Sequence, residues 1–502
     1  MKSRVRTAGI FLVGVLACLI PTLLGAQSSN GVAKVWDEKA LREWATPVAS
    51  LNVRPRHFSE KEYYSAPVDN LRTCPIYYPG RELQGYWEFL QKVGPQPLIE
   101  PDKIKTEADW IEAGQRVFDE LDVPNMRNYD AQLIESMRSA EIHEKMKTPM
   151  APDGTLAGVR WIPTSKGISV GLTNCGGCHT RYLENGLRVN GAPANVGGPS
   201  QIGKIGFFAA SVLPLEGDTP GMAYYRNYGV PWIKDDIHEQ LKSMELPALG
   251  RLFGAAIRHG AFPRWGGSVY YPTKIPDLIG FKDRRWIDHT ATHQHRDVGD
   301  LMRYAALVSY AEAYEFGPHK ILAERQGRIE WRASDEALHA LALYIYSLKP
   351  PPNPHPADEK ARAGQKLFER EGCVGCHTPP LYTNNKLTLA EGFTPPPDQP
   401  TYLDAMSLSV GTDPGLALKT RKGTGYYKVP SLMGVWYRGH YLHDGSIASL
   451  EEMFDPNRVK DTHVPGGWKL PDTKAQAIKG HPFGLGLKPE ERIQLVAFLR
   501  TL

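Results

Sequence analysis

Cys175-Gly-Gly-Cys178-His179 and Cys373-Val-Gly-Cys376-His377 are the stretches on which the reading of this chain turns. CxxCH attaches a c-type haem: two thiols one short turn apart add across the porphyrin vinyl groups, and the adjacent histidine reaches the iron as proximal ligand. A lone CxxC also suits a thioredoxin-like redox pair or half of a zinc site. Zinc needs two more Cys or His at ligand spacing, however, and neither motif has a second CxxC nearby. Two copies, each with its histidine, therefore predict two covalently bound haems c on Cys175, Cys178, Cys373 and Cys376, with His179 and His377 as proximal ligands.

The flanking sequence repeats as well. Ala113-Gly-Gln-Arg-Val-Phe118 matches Ala363-Gly-Gln-Lys-Leu-Phe368, and Lys274-Ile-Pro-Asp-Leu-Ile-Gly280 matches Lys428-Val-Pro-Ser-Leu-Met-Gly434. Leu341 to Leu348 matches Leu495 to Leu502 at the same separation of 154 residues as the KxPxLxG pair. The expected fold is mostly α: two tandem cytochrome c-like haem domains, 106–350 and 351–502, with long irregular loops. Helical spacing of apolar residues places helices over Trp110–Leu121, Asp335–Leu348 and Glu490–Leu502. Pro and Gly together make 89 of 502 residues, so loops are extensive. Lys349-Pro-Pro-Pro-Asn-Pro-His-Pro356 reads as a stiff linker between the copies. The first copy carries 52 additional residues before its haem motif and 44 after it. Insertions of that length build functional loops or pocket walls, so the first haem is expected to be the reactive one and the second an electron-transfer site.

Residues 27–105 match neither copy, and their Trp, Tyr and Pro content predicts an ordered extension wrapped over the rest. Ahead of it, Lys2, Arg4 and Arg6 precede an apolar run from Ile10 to Leu24, with small residues before Gln27. This is the pattern of a signal peptide over 1–26, cleaved near Ala26, which places the protein in the periplasm or outside the cell. Cys18 raises a lipoprotein alternative, but apolar residues continue past it. No other long apolar run predicts a membrane span. Loss of the three signal cations takes the formal charge from +4 to +1, and nothing suggests a nucleic-acid partner. Only Cys74 then remains outside the haem motifs, with the buried free thiol as its bland reading.

A sixth ligand decides what a c-haem does: a strong one favours electron transfer, an open site binds oxygen or peroxide. The 154-residue offset sets His289 opposite His443 and Arg284 opposite Arg438. His443 is thus a candidate metal ligand for the second iron. His289 is one for the first, and the candidate catalytic residue. Either histidine alternatively hydrogen-bonds a propionate or a backbone carbonyl. Met453 and Met406 are rivals to His443, whereas Met433 pairs with the apolar Ile279. His259, His293 and His295 read as solvated or hydrogen-bonded. Arg284 and Arg438 are candidate cofactor-binding residues for the haem propionates. Trp265, Trp286 and Trp436 are either electron relays or packing residues.

The second copy resembles the bacterial dihaem cytochrome c peroxidase superfamily, which includes methylamine-dehydrogenase maturation enzymes and rubber oxygenases. Ala363-Gly-x-x-Leu-Phe, Lys428-Val-Pro-Ser-Leu432 and Tyr441-Leu-His-Asp-Gly-Ser446 carry the resemblance, which covers roughly 106–502. It implies two facing haem domains, peroxide or oxygen as oxidant, and a small redox protein or cytochrome as electron donor. The YLHDGS segment is similar to that of the rubber oxygenases, whose histidine in that motif is implied to ligate the second iron. The peroxidase pattern departs here, since no histidine lies between His179 and His238. A calcium between the domains is also implied, but no acidic loop has its spacing. The function expected is a peroxidase-like dihaem oxidoreductase. Its rivals are a bis-His electron carrier and an oxygenase acting on an apolar substrate held by the 180–273 insertion.

Overall fold

The computed structural model describes residues 31–123, 127–171, 173–196, 217–257, 260–263, 267–309, 312, 315–321, 329, 331–470 and 472–502. The signal segment, Cys18, His259 and Trp265 lie outside the described residues. None of the described helices is long and apolar enough to cross a membrane.

Each AGQ motif sits on a helix that opens one copy and packs against the helix that closes it. The first opening helix, Glu107–Glu120, starts at a Thr106–Asp109 capping box, and its partner is Asp335–Ser347, capped by Ser334. The second pair is Glu359–Arg370, capped by Asp358, and Pro489–Arg500, with proline in its first turn. The bounds of Glu107–Glu120, Asp335–Ser347 and Pro489–Arg500 agree with the spacing-based expectations to within three residues. The glycine of AGQ explains the closeness of both crossings. A Cβ on Gly114 would overlap the carbonyl oxygen of Ala340, and one on Gly364 would overlap that of Gln494. Ala340 and Gln494 are themselves 154 residues apart. The repeat therefore extends to individual backbone contacts.

A second pair of contacts crosses between the copies. The Lys274 amide donates to the His443 carbonyl (2.7 Å), and the Lys428 amide donates to the His289 carbonyl (3.0 Å). Each KxPxLxG segment is thus stitched to the histidine of the other copy. Because the four residues are repeat partners, the seam has approximate two-fold character.

Helix covers 37% of the described residues and strand 14%, so irregular connections rival the helices in extent. The strand content was not foreseen. Cys74–Tyr77, Thr155–Thr164 and Gly167–Gly171 form an antiparallel sheet in that order, joining the N-terminal extension to the insertion before the first haem motif. The extension itself is firmly seated. Trp36 and Trp44 are fully buried, the Arg303 guanidinium donates to the Val35 carbonyl (3.1 Å), and Pro55–Arg56 pairs with Glu315–Phe316. Large aromatic side chains buried here supply much of the stabilisation that binds an extended segment.

Candidate haem sites

The first CxxCH forms a single helical turn, Cys175–His179, whose start is capped by the Asn174 side chain accepting from the Gly177 amide (2.6 Å). Gly177 faces Gly158, whose Cα lies 2.7 Å from where a Cβ would stand, so the turn needs glycine there. Cys175, Cys178 and His179 keep accessible surface, yet burial pushes the two thiols up to about 12 and about 11. Burial lowers His179 to about 4, the Pro276 carbonyl opposing it, and its Nδ1 is buried with no hydrogen-bond partner in good geometry.

The second motif is a tighter 3-10 turn, Cys373–Gly375, entered through Gly372 at φ 74°. His377 Nδ1 donates to the Tyr382 carbonyl (3.1 Å), leaving Nε2 as the atom available to a metal. The Pro430 carbonyl acts on this ring as Pro276 acts on His179, and Pro276 and Pro430 are repeat partners. Among the described rings, the imidazole facing His377 is His481, with ring centroids 6.4 Å apart and an interplanar angle of 54°. Two metal–nitrogen bonds of roughly 2 Å and two ring half-widths of roughly 1 Å sum to about 6 Å. That is the separation of two imidazoles sharing one iron. His481 Nδ1 is buried without a hydrogen-bond partner.

His481 was missed by the sequence reading. It sits at φ 45° directly after Gly480 at φ 82°, an awkward left-handed pair for a non-glycine residue. A fully buried arginine holds this loop. Arg458 donates to the carbonyls of Met453 (2.9 Å), Ile478 (2.6 Å), Gly480 (3.0 Å) and His481 (2.8 Å). The available signal was an asymmetry: the position 154 residues before His481 is Gly327, so the repeat offset sets no histidine opposite His481.

The fold places the other expected site residues in these surroundings. His289 is half-buried and its Nε2 donates to the Lys274 carbonyl (3.0 Å), the hydrogen-bonded alternative for this ring. His443 packs against Tyr427, ring centroids 4.7 Å apart, with Nδ1 buried and unpartnered. Burial takes His289 well below the ordinary histidine range, with Lys428, Lys274 and His443 adding to the effect. Both histidines therefore belong to the seam. Arg284 and Arg438 converge there on Asp277, at 3.3 and 3.8 Å. Met453 is packed in the second core, and Met406 Sδ accepts from the Asn384 amide (3.4 Å). Met433 is exposed. Trp286 is buried, its indole donating to the Asn385 carbonyl (3.2 Å), and Trp436 packs on Tyr437 and His355. His293 and His295 are buried in hydrogen-bonded positions, not solvated ones. Cys74 is half-buried, with burial raising its pKa. Among the described residues no cluster of three or more His, Cys, Asp or Glu is placed to hold a bare metal ion.

The paired cysteines, the unpartnered buried ring nitrogens and the spacing of His377 and His481 all fit haem. Sequence comparison agrees. Cytochrome-c peroxidase IdrP1 of Denitromonas iodatirespirans is 27% identical over 221 residues, 40% of this chain and 49% of that protein. Methylamine utilization protein MauG of Methylorubrum extorquens is 31% identical over 147 residues, 28% of this chain and 34% of that protein. The chain is a distant relative of the cytochrome c peroxidase and MauG proteins. The chain spans about half the length of the peroxidases it matches and about a third of MauG. No family model matches it. Among solved structures, a MauG-like protein associated with microbial copper homeostasis aligns at 19% identity, covering 46% of this chain and 73% of that one with a TM-score of 0.28.

Proposed function

We propose that this chain is an exported dihaem c-type oxidoreductase of peroxidase type. Cys175 and Cys178 would hold one haem, with His179 on its iron. Cys373 and Cys376 would hold the other, between His377 and His481. When bound, the haems supply one-electron redox chemistry and a site for a small oxidant. The protein's own residues orient the ligands: the Tyr382 carbonyl fixes the His377 tautomer, and Arg458 fixes the loop of His481. The observation that carries the reading is the opposition of His377 and His481 together with glycine at the equivalent position of the first copy. It supports a sealed electron-transfer role for the second haem and a reactive role for the first, whose copy carries the longer insertions. Peroxide as oxidant and a small redox protein as electron donor rest on the peroxidase and MauG relatives.

Three measurements test this. Pyridine haemochrome analysis should give two covalent haems per chain. Carbon monoxide added to the reduced protein should bind one of them. Peroxide should then be consumed at the expense of a reduced donor cytochrome. If neither haem binds carbon monoxide, the protein is an electron carrier.

A further inference from the structure

The seam between the two KxPxLxG segments is crowded with positive charge. Lys274 is surrounded by Arg438, Arg181 and Asp277, while Lys428 is surrounded by Arg284, Asp288, Arg438 and Asp277. Five cations therefore share two carboxylates, and Asp288 already accepts from the Thr292 amide (3.0 Å) and the Tyr304 hydroxyl (3.1 Å). Burial first, and then the neighbouring arginines, pull both lysines down to about 7. Lys428 Nζ donates to the carbonyls of Ile287 (2.9 Å) and Trp286 (3.3 Å), whereas Lys274 Nζ lies 5.7 Å above the Tyr441 ring. Arg284 Nε is buried without a hydrogen-bond partner. Uncompensated charge inside a protein is strongly unfavourable, so this region is built to receive an anion.

Its position says which anion. Lys274 and Lys428 each stand two residues before a proline whose carbonyl acts on a CxxCH histidine, Pro276 on His179 and Pro430 on His377. Both lysines retain accessible surface although enclosed by protein, as do the haem-motif cysteines. A haem bound at either motif carries two carboxylates on one edge. We propose that the seam is a shared seat for the propionate edges of both haems, in which the repeat-related Lys274 and Lys428 supply counter-charge beside Arg284 and Arg438. The inference rests on the two-haem reading and deepens it. It makes the lysines positioning and tuning residues. Reduction adds negative charge to a haem, so a nearby cation favours the reduced state.

The test uses the full-length holoprotein with Lys274→Met, Lys428→Met and the charge-keeping Lys274→Arg and Lys428→Arg. Midpoint potentials are read by spectroelectrochemistry at fixed pH and ionic strength. Each Met variant should shift at least one haem toward oxidation by tenfold or more, about 59 mV for a one-electron couple. The Arg variants should stay within threefold of wild type. Loss of haem from the Met variants alone would also support the seat. Should they fail to fold, Lys→Gln variants replace them, with the same shift expected. Neutral variants whose potentials match wild type would overturn the inference. Fewer than two haems per wild-type chain would instead overturn the reading beneath it.

Discussion

His377 and His481 face one another with ring centroids 6.4 Å apart, although 104 residues of chain separate them. The first is announced by its motif. The second is an otherwise ordinary histidine in Lys479-Gly-His-Pro482, made significant only by where its loop is tied down.

Replacing His481 by Ala should convert one ferric haem from low-spin to high-spin in electron paramagnetic resonance. The number of haems binding carbon monoxide in the reduced protein should rise from one to two. His443→Ala should leave the low-spin signal in place, because His443 lies in the seam against Tyr427. A spin change in His443→Ala with none in His481→Ala would reverse the assignment.

Arg458→Lys should imitate the His481 variant in part. A guanidinium can donate to four carbonyls in a fixed fork, whereas an ammonium has three donors on a flexible stem. Leaving even two of these buried carbonyls unpartnered costs roughly 2–5 kcal/mol. Thermal melting should fall by several degrees, and the low-spin signal should become heterogeneous. An unchanged spectrum would show that His481 needs no such anchor.

Gly364→Ala should destabilise the second copy. Alanine gains about 1 kcal/mol in helix propensity over glycine. Against this, its Cβ would overlap the Gln494 carbonyl and approach the Phe498 Cβ to 2.8 Å. Overpacking commonly costs ~1–3 kcal/mol, and a clash with backbone belongs at the upper end. Calorimetry should show the loss, and Gly114→Ala should behave alike against Ala340. A melting temperature at or above wild type would refute the close-crossing argument.

Stability should also depend on Asp122. Burial raises this carboxyl to about 7, outweighing the attraction of Arg127 at 3.7 Å, and neither carboxyl oxygen has a hydrogen-bond partner. A raised carboxyl binds its proton more tightly folded than unfolded. Its contribution is therefore fully present below the unfolded value near 4 and lost as pH rises to 7, beyond which it is flat. Wild-type melting should decline across pH 4–7 by an amount equivalent to a few kcal/mol. Asp122→Asn should remove most of that decline. Equal slopes in the two proteins would assign it to other groups.

Three of the four helices that frame the two copies were legible because apolar spacing and a proline in a first turn are local signals. The AGQ glycines were legible as a repeat, but their reason was not. That reason is a carbonyl on a helix about 130–230 residues away in the chain. The sheet of Cys74–Tyr77 with Thr155–Thr164 was not legible, since its strands come from separate stretches and Pro75 and Pro163 interrupt their pattern. His289 and His443, which the offset sets opposite one another, accept equivalent backbone bonds from Lys428 and Lys274. The offset could not say that His289 would donate to the Lys274 carbonyl.

Read alone, the residue order gave the two CxxCH motifs on which the haem proposal rests, the repeat of the segments around them, and the unequal spacing of that repeat. Those properties follow from covalent spacing and local periodicity, which survive in one dimension. Only the folded molecule decided which imidazole stands opposite His377, and that the repeated lysines meet in one charged seam. Long-range approach depends on loop closure and on the burial of groups distant in the chain, neither of which leaves a local trace.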